Sequence, residues 1–528
     1  MVGFIKKATE NSLLNCAIIV FFAFLTFIPT LFMFFYADDF AYLYKLSQGE
    51  SFLFPYQHSA SFIKPFYLLF GLNPLGYFVT GVFMLALSAV VLYLFASRLL
   101  RSKRLGLLAG IICATTPVGI DTVFQIGTFI NGYITTIGLL VLLILLHRSV
   151  SEKKTLFYVI ALLSYVLFLE LKPVRVFLFV PVLAVFDYVM HGKHVLPDRQ
   201  FLKRQVPFAL LFILYFEMRS FVVPTHATLR QMPTMLQAVK DTISAFFDMQ
   251  PFIALANVLT GAPLVFLANT FAISTKSGIV VSLETVGHPY IWTALTLLVA
   301  LGSIVLTWQV KREWGKLQLF CVLWIYITIL GFYVFSSPGV SETTARTVTQ
   351  ASPAYAVFFT LAGFALFTYL KAKKYVSRKA LSRFFVFCMI AVVAVNIFAT
   401  WFHLNRFNEL RSRHAYAFFH DLKQYYPSVP VDSLLYIKIA EKPYIQSRFY
   451  NIIKDGFYGG RAGFAVFYGY AWDEINYTRE YSEVLKFVGK DPKKIDRVFA
   501  FSFDDQGLSD MTTKVRTELK KSDTETGQ

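Results

Sequence analysis

Apolar residues run along most of this chain in blocks of near-uniform length, parted by short polar segments. A block of about 20 such residues crosses a hydrocarbon core as a single helix. Blocks near 16–36, 75–97, 105–120, 126–147, 155–171, 173–190, 204–223, 289–309, 317–336, 353–370 and 384–402 predict eleven spans. The run 251–272 is apolar enough to be another, but Gly261 and Pro263 interrupt it. A re-entrant or interfacial helix pair within a large polar region, 224–288, is the preferred reading there; a true span with an unrecognised mate is the alternative. Beyond Trp401 the pattern changes to charged, Tyr-rich sequence with no run long enough to span. Residues 405–425 read as a helix leaving the membrane, 434–439 and 498–503 as strands, and 478–488 as a helix. From about Lys514 the sequence reads as a frayed polar tail. The expected architecture is an all-α polytopic membrane protein of about eleven transmembrane helices, with a small C-terminal α/β domain. The boundary falls at 1–403 and 404–528.

Composition sharpens this. Of 528 residues, 56% are hydrophobic and 16% charged, against about 25% charged in a soluble domain. The 57 Phe and 29 Tyr suit lipid-facing surfaces and interfacial belts. A formal charge of +18 could point to nucleic acid, but the basic residues gather in short clusters between spans, at 98–104, 148–154, 193–204, 311–316 and 371–383. With Lys6 and Lys7 inside, these clusters occupy every second connection, as the positive-inside rule requires. The expected topology has a cytoplasmic N-terminus, an extracytoplasmic C-terminal domain and no nucleic-acid partner, in a membrane expected to be the bacterial plasma membrane. The first apolar run has no small-residue cleavage site and reads as a retained helix. Cys16, Cys113, Cys321 and Cys388 each lie in an apolar run without metal-ligand spacing, which predicts buried thiols and no disulfide framework.

Charge at membrane depth is costly, so the charged groups that survive there are candidates for function. They fall in the connections predicted external: 37–74, 120–126, 170–175, 224–288 and 337–352. Asp38 and Asp39 follow the first span; an acidic first turn on an interfacial helix is the plainer account of the pair. Lys64-Pro65 closes that loop. Asp121 is the only acid of the second external connection, near Gln125 and Asn131. Glu170, Lys172 and Arg175 flank Pro173, where cations and a helix N-terminus would suit a phosphate. Snorkelling cations with an ion pair explain the same residues. Arg346 is the only cation of the polar stretch 341–352 and could clamp a phosphate. His58, His226 and His288 are too far apart in sequence to form a metal motif. No HExxH, CxxC, GxSxG or P-loop pattern is present.

Four of these features, in this order, resemble the GT-C superfamily of integral-membrane glycosyltransferases. Asp38-Asp39 is similar to the acidic signature of the first external loop, and FIKPFYLLFG to the Lys/His-Pro element that closes it. LELKPVRVFLFVPVLAVFDY resembles the phosphate-side lysine stretch, and TARTVTQASPAYAVFF the arginine stretch before a late span, with Thr347 where many members carry Tyr. The resemblance covers 16–370. It implies inverting transfer of a sugar from a polyprenyl-phosphate donor to a glycan, lipid or protein acceptor at the outer membrane face. It also implies Asp38, Asp39 and Asp121 as catalytic carboxylates, and Lys64, Lys172, Arg175 and Arg346 as cations for the donor phosphate. A divalent cation, Mg or Mn, on Asp39 and Asp121 is a further expectation, and membrane lipids are partners throughout. The competing readings are an outer-leaflet glycan polymerase or ligase, and a transporter or flippase of a lipid-linked sugar. The absence of a visible inverted repeat counts against the last. A single arginine, Arg230, in 224–288 counts against the first.

Overall fold

The structure is a computed structural model. It describes residues 11–36, 38–48, 59–171, 173–176, 178–192, 198–222, 240, 244, 249–270, 283, 288–336, 343–373, 377–453, 460–471, 473–489 and 491–526. The first span is α1, Ser12–Phe27, prolonged by a tight turn at Ile28–Phe32. Two helices of the first polar loop follow, α2 (Asp38–Ser47) and α3 (Ser59–Phe70). Then come α4 (Pro74–Leu100), α5 (Lys103–Thr115), α6 (Ile126–Ser151), α7 (Thr155–Leu171), α8 (Phe179–His191) and α9 (Arg199–Val222). The remaining membrane helices are α10 (Gln250–Thr270), α11 (Pro289–Val310), α12 (Arg312–Ser336), α13 (Ser352–Ala372) and α14 (Arg378–Phe407).

Each predicted span falls on a helix. Among the described residues, eight helical stretches are long and apolar enough to cross a membrane, with shorter apolar helices at Thr155–Leu169 and Phe179–His191. The chain is a multi-pass membrane protein. Local chemistry sets several helix starts: Asn73 accepts from the Leu75 N–H ahead of Pro74, Ser102 caps α5 and Ser377 caps α14. Two boundaries differ from the sequence reading. Helix α5 stops at Thr115 because the following Thr116-Pro117 disfavours helical backbone. The block 173–190 is split into a single turn, Pro173–Val176, and α8.

The run 251–272 forms α10 as far as Thr270, divided at Gly261, where φ is 46° and ψ −115°. Only glycine takes that backbone cheaply, and a Cβ there would also lie 2.7 Å from the Tyr355 ring of α13. The break frees backbone groups, and the Tyr355 hydroxyl bonds to the backbone of Ala262 and to Thr116. Helix α10 is thus divided as a pair would be, yet it is also one of the helices long enough to cross. Its far neighbours in 223–239 and 271–282 lie outside the described residues.

Large apolar side chains point outwards from these helices, among them Leu298 and Val299 of α11 and Phe387 of α14. In water such a surface would be a liability; in lipid it is the expected exterior. Helix α14 continues without a break through a wide turn, Asn408–Ser412, into α15 (Arg413–Tyr425), which carries the chain away from the apolar bundle.

The C-terminal part is built on a four-stranded sheet of order β2-β1-β3-β4. Its strands are β1 (Ser433–Ile439), β2 (Ile475–Thr478), β3 (Val498–Asp504) and β4 (Gly507–Asp510). Strand β1 lies parallel to β2 and to β3, and β4 turns back antiparallel to β3. Helices α16 (Pro443–Ile452), α17 (Arg461–Tyr468), α18 (Tyr481–Val488) and α19 (Thr512–Thr526) surround it. Helix α19 corrects the expected frayed tail. Val515 and Leu519, one helical turn apart, are buried with Val484, Ile495 and Val498, which anchors a helix whose other positions are polar.

Candidate functional site

Residues from five distant parts of the sequence meet where the polar loops close over the helix ends. The frame is a seam between the loop joining α5 to α6 and the stretch 343–351. Gly119 N–H donates to Thr343 O (2.9 Å), and Asp121 N–H donates to Thr344 O (3.0 Å). The hydroxyls of Thr122 and Thr349 pair across the seam. Gly119 is required twice over: its φ is +72°, and a Cβ would sit 2.5 Å from Thr349 Cα. On the far side, the Thr343 hydroxyl donates to Asn257 O of α10 (2.9 Å), and the Asn257 side chain holds the Leu283 N–H (2.8 Å).

Asp39, on the first turn of α2, is 2% exposed. Its Oδ1 accepts from the Ile126 N–H at 2.9 Å, and its Oδ2 from the Tyr36 N–H at 3.4 Å. Gln125, the residue before α6, makes no side-chain cap. Asp39 therefore supplies that cap from another element and places a carboxylate at the positive end of a long helix. The Asp38 side chain, the Glu170 side chain and Lys172 lie outside the described residues, as do His58, His226 and Arg230.

Asp121 sits on a tight turn, Ile120–Thr122. Its side chain keeps 19% of its surface, and its Oδ1 lies 3.1 Å from His403 Nε2. His403 is 1% exposed, on the last membrane helix, and its other ring nitrogen is buried without a partner among the described residues. An Nε2–H donated to Asp121 holds the carboxylate in place. Sequence reasoning missed His403. It weighed three external histidines and passed over one sitting a residue beyond the predicted end of a span.

Arg346 is exposed, and its Nη1 donates to Gln125 Oε1 at 2.8 Å. Arg175, on the single turn before α8, is buried, and its Nη2 donates to the Arg346 carbonyl at 3.2 Å. Burial, then the neighbouring Arg346 guanidinium, pull Arg175 down to about 10, which leaves it charged at neutral pH. Gly132 makes room for it: a Cβ there would be 3.2 Å from Arg175 Nη1. Tyr42 and Tyr133 also face this guanidinium, and Tyr133 feels Asp121 as well.

Tyr36 ties the two halves together. Its phenol is held well above its ordinary pKa, first by burial, then by Asp39 and Asp121, with Arg411 and Arg346 acting in the opposite sense. Its ring packs on Phe407 at 4.8 Å, and Phe407 packs on Phe124 at 4.5 Å. Asp39, Asp121, Arg175 and Arg346 thus share one neighbourhood. Lys64 does not join it among the described residues. It is exposed on α3, a helix that also turns Leu68 and Leu69 outwards.

The chemistry available is two carboxylates beside two guanidiniums at the edge of an apolar bundle. An ion held between Asp39 and Asp121, as expected from the sequence, would share the Asp39 oxygens with main-chain donors. Both Asp39 oxygens accept backbone N–H groups, and no group of three His, Cys, Asp or Glu side chains placed to hold an ion occurs among the described residues.

No protein-family model matches the chain, and no curated protein matches it. Solved structures do. The chain is similar to ArnT from Cupriavidus metallidurans bound to undecaprenyl phosphate, with a TM-score of 0.47 and 11% identity, covering 94% of each chain. It is also similar to the archaeal oligosaccharyltransferase AglB from Archaeoglobus fulgidus in complex with an inhibitory peptide and a dolichol-phosphate. There the TM-score is 0.44 and the identity 10%, over 93% of this chain and 69% of that one. Another structure of the Archaeoglobus fulgidus enzyme, in complex with Zn and sulfate, has a TM-score of 0.45 at 10% identity, over 92% of this chain and 67% of that one.

Proposed function

We propose that the chain is a GT-C-type glycosyltransferase of the outer membrane face. It moves a sugar from a polyprenyl-phosphate carrier to a glycan, lipid or protein acceptor, with inversion. The observation that carries this reading is the meeting of Asp39, Asp121 and Arg346 around Tyr36, with Arg175 bonded to the Arg346 carbonyl behind them. The sequence resemblance supplies the class of reaction. The expected setting is a bacterial plasma membrane, N-terminus inside and sheet domain outside.

In the proposed step an acceptor hydroxyl oxygen attacks the anomeric carbon. The bond from that carbon to the phosphate oxygen breaks, and its electron pair leaves with the polyprenyl phosphate. Asp121 takes the hydroxyl proton, which is general base work. Asp121 is chosen over Asp39 because Asp39 has both oxygens engaged by N–H groups, while Asp121 keeps exposed surface and a histidine to orient it. Asp38 is the second candidate. Arg346 faces outwards with one nitrogen anchored by Gln125, so its remaining N–H groups can receive the phosphate. Arg175, fixed behind it, adds charge without moving. Fixed cations of this kind stabilise charge as it develops.

The test is sugar transfer from polyprenyl-phosphate donors by membranes carrying each variant at equal expression. Asp121→Asn should lower transfer by about a hundredfold or more, and Arg346→Gln should raise the donor KM. Full activity in Asp38→Asn, Asp39→Asn and Asp121→Asn alike would sink the proposal.

A further inference from the structure

A groove of about 520 Å³ lies outside the carboxylate and guanidinium cluster, between the exit of the first span and α15. Its wall is aromatic. Phe34, Phe467 and Tyr416 present ring surface to it, Phe419 is fully buried and stacks behind Phe467 at 4.2 Å with planes 8° apart, and Phe34 meets Tyr416 edge-on at 5.3 Å. Its rim is polar. Tyr416, His420 and Lys423 recur along one face of α15, with Gln424 beside them, while Ala415, Phe418 and Leu422 of the same helix are buried. Tyr416 is 52% exposed, its ring tilted 30° to that of His420 at 5.6 Å. The Lys423 ammonium stands 5.9 Å over the Phe467 ring.

The groove and the cluster share one stretch of backbone. Phe34 lies two residues before Tyr36, and its N–H is held by the Ser412 hydroxyl. Phe40 directly follows Asp39 and packs on Phe419 at 4.6 Å and on Phe467 at 5.9 Å. Whatever fills the groove therefore sits against the wall of the proposed reacting centre.

Ring faces carry a negative quadrupole and attract polarised C–H groups. Sites for small polar molecules combine such surfaces with a few placed donors and acceptors. An acyl chain would use the rings but leave Lys423, His420 and Gln424 idle. A bare phosphate would use Lys423 but not the rings. A pyranose uses both: its C–H face lies on aromatic rings and its hydroxyls reach the rim. We propose that this groove binds a pyranose unit of the acceptor glycan. This rests on the glycosyltransferase reading and narrows its acceptor to a saccharide.

The experiment uses the full chain in phosphatidylcholine nanodiscs, with maltotriose and chitotriose as probes and saturation-transfer NMR as the readout. Saturable binding is expected for at least one probe. Tyr416→Ala should weaken it about tenfold, equivalent to about 1.4 kcal/mol, while Tyr416→Phe stays close to wild type and Lys423→Met falls between. Asp121→Asn should leave this binding intact. Loss of transfer in Asp121→Asn with saccharide binding unaltered by Tyr416→Ala would overturn the groove and spare the proposed function. Saccharide binding that depends on Tyr416, with transfer intact in all three aspartate variants, would do the reverse. Absence of saturable binding by the wild-type chain overturns the groove. So does crosslinking of a diazirine-tailed phosphatidylcholine to Tyr416 that saccharide fails to displace.

Discussion

His403 is the residue on which the proposed catalytic carboxylate leans. It is almost wholly buried, and its one described bond goes to Asp121. Replacing it with alanine should leave Asp121 free to rotate and lower kcat about tenfold, with little change in donor KM. His403→Gln, which can still present an N–H, should recover most of that loss. The discriminating measurement is rescue of kcat. If His403 orients Asp121, His403→Gln recovers kcat and His403→Leu, an apolar side chain of similar volume, does not. If the histidine only fills space, both recover it alike. Asp39 belongs to a different kind. Its alanine variant should cost about 1 kcal/mol of stability, as helix caps do, because the start of α6 loses its acceptor.

At the scale of elements, two local structures make separable predictions. In α10, Gly261→Ala forces a Cβ against the Tyr355 ring in a backbone region that glycine alone tolerates well. A loss of about 1–3 kcal/mol is expected, read as a lowered midpoint in thermal unfolding. Beside the sheet, Lys442 holds Asp505 at 2.6 Å and Tyr444 bonds the same carboxylate. The Lys442 bond, then the Tyr444 bond, hold Asp505 below its ordinary 3.8. The Asp505 bond likewise lifts Lys442 above 10.5. The Asp505 contribution is present above pH 3.8 and lost as pH falls through the lowered value. The Lys442 contribution is present below pH 10.5 and lost as pH rises through the raised one. Both groups are exposed, so the effect is small and salt-sensitive. Asp505→Asn should flatten both limbs of a pH-dependent melt of the sheet domain.

Much of the element pattern was legible because hydropathy alone picks out a spanning helix. What escaped depends on partners. The α19 helix looks polar in sequence, and its two anchoring residues make sense only against the sheet. The short strands β2 and β4 exist by pairing with β1 and β3. The carboxylates and cations of the loops were legible as types of residue, but their grouping was not. Asp39 was read as a reacting group; that one of its oxygens also caps the start of α6 and the other accepts from the Tyr36 N–H could not be read from the sequence. Asp121 and His403 are 282 residues apart, a distance no local pattern spans.

Across the whole molecule, the sheet domain is bolted to the first polar loop. Helix α17 lies against α2, with Gly463 admitting the Phe419 ring so closely that a Cβ would be 2.8 Å from it. Phe40, Phe419 and Phe467 fill the joint. Gly463→Leu should push α17 away and loosen both parts together. The expected result is faster proteolysis within 37–74 as well as after Tyr425, with loss of transfer. Cleavage confined to the C-terminal side would mean that the two parts are independent.

The seam that closes the site is sewn by main-chain groups at Gly119, Asp121, Thr343 and Thr344. Beyond those groups it asks only for the glycine at 119 and the hydroxyls of Thr122, Thr343 and Thr349. Residues bordering it can be exchanged while the joint itself endures. Under the proposed function, new preferences for a donor or an acceptor would arise beside it by single substitutions, without the fold having to be invented again.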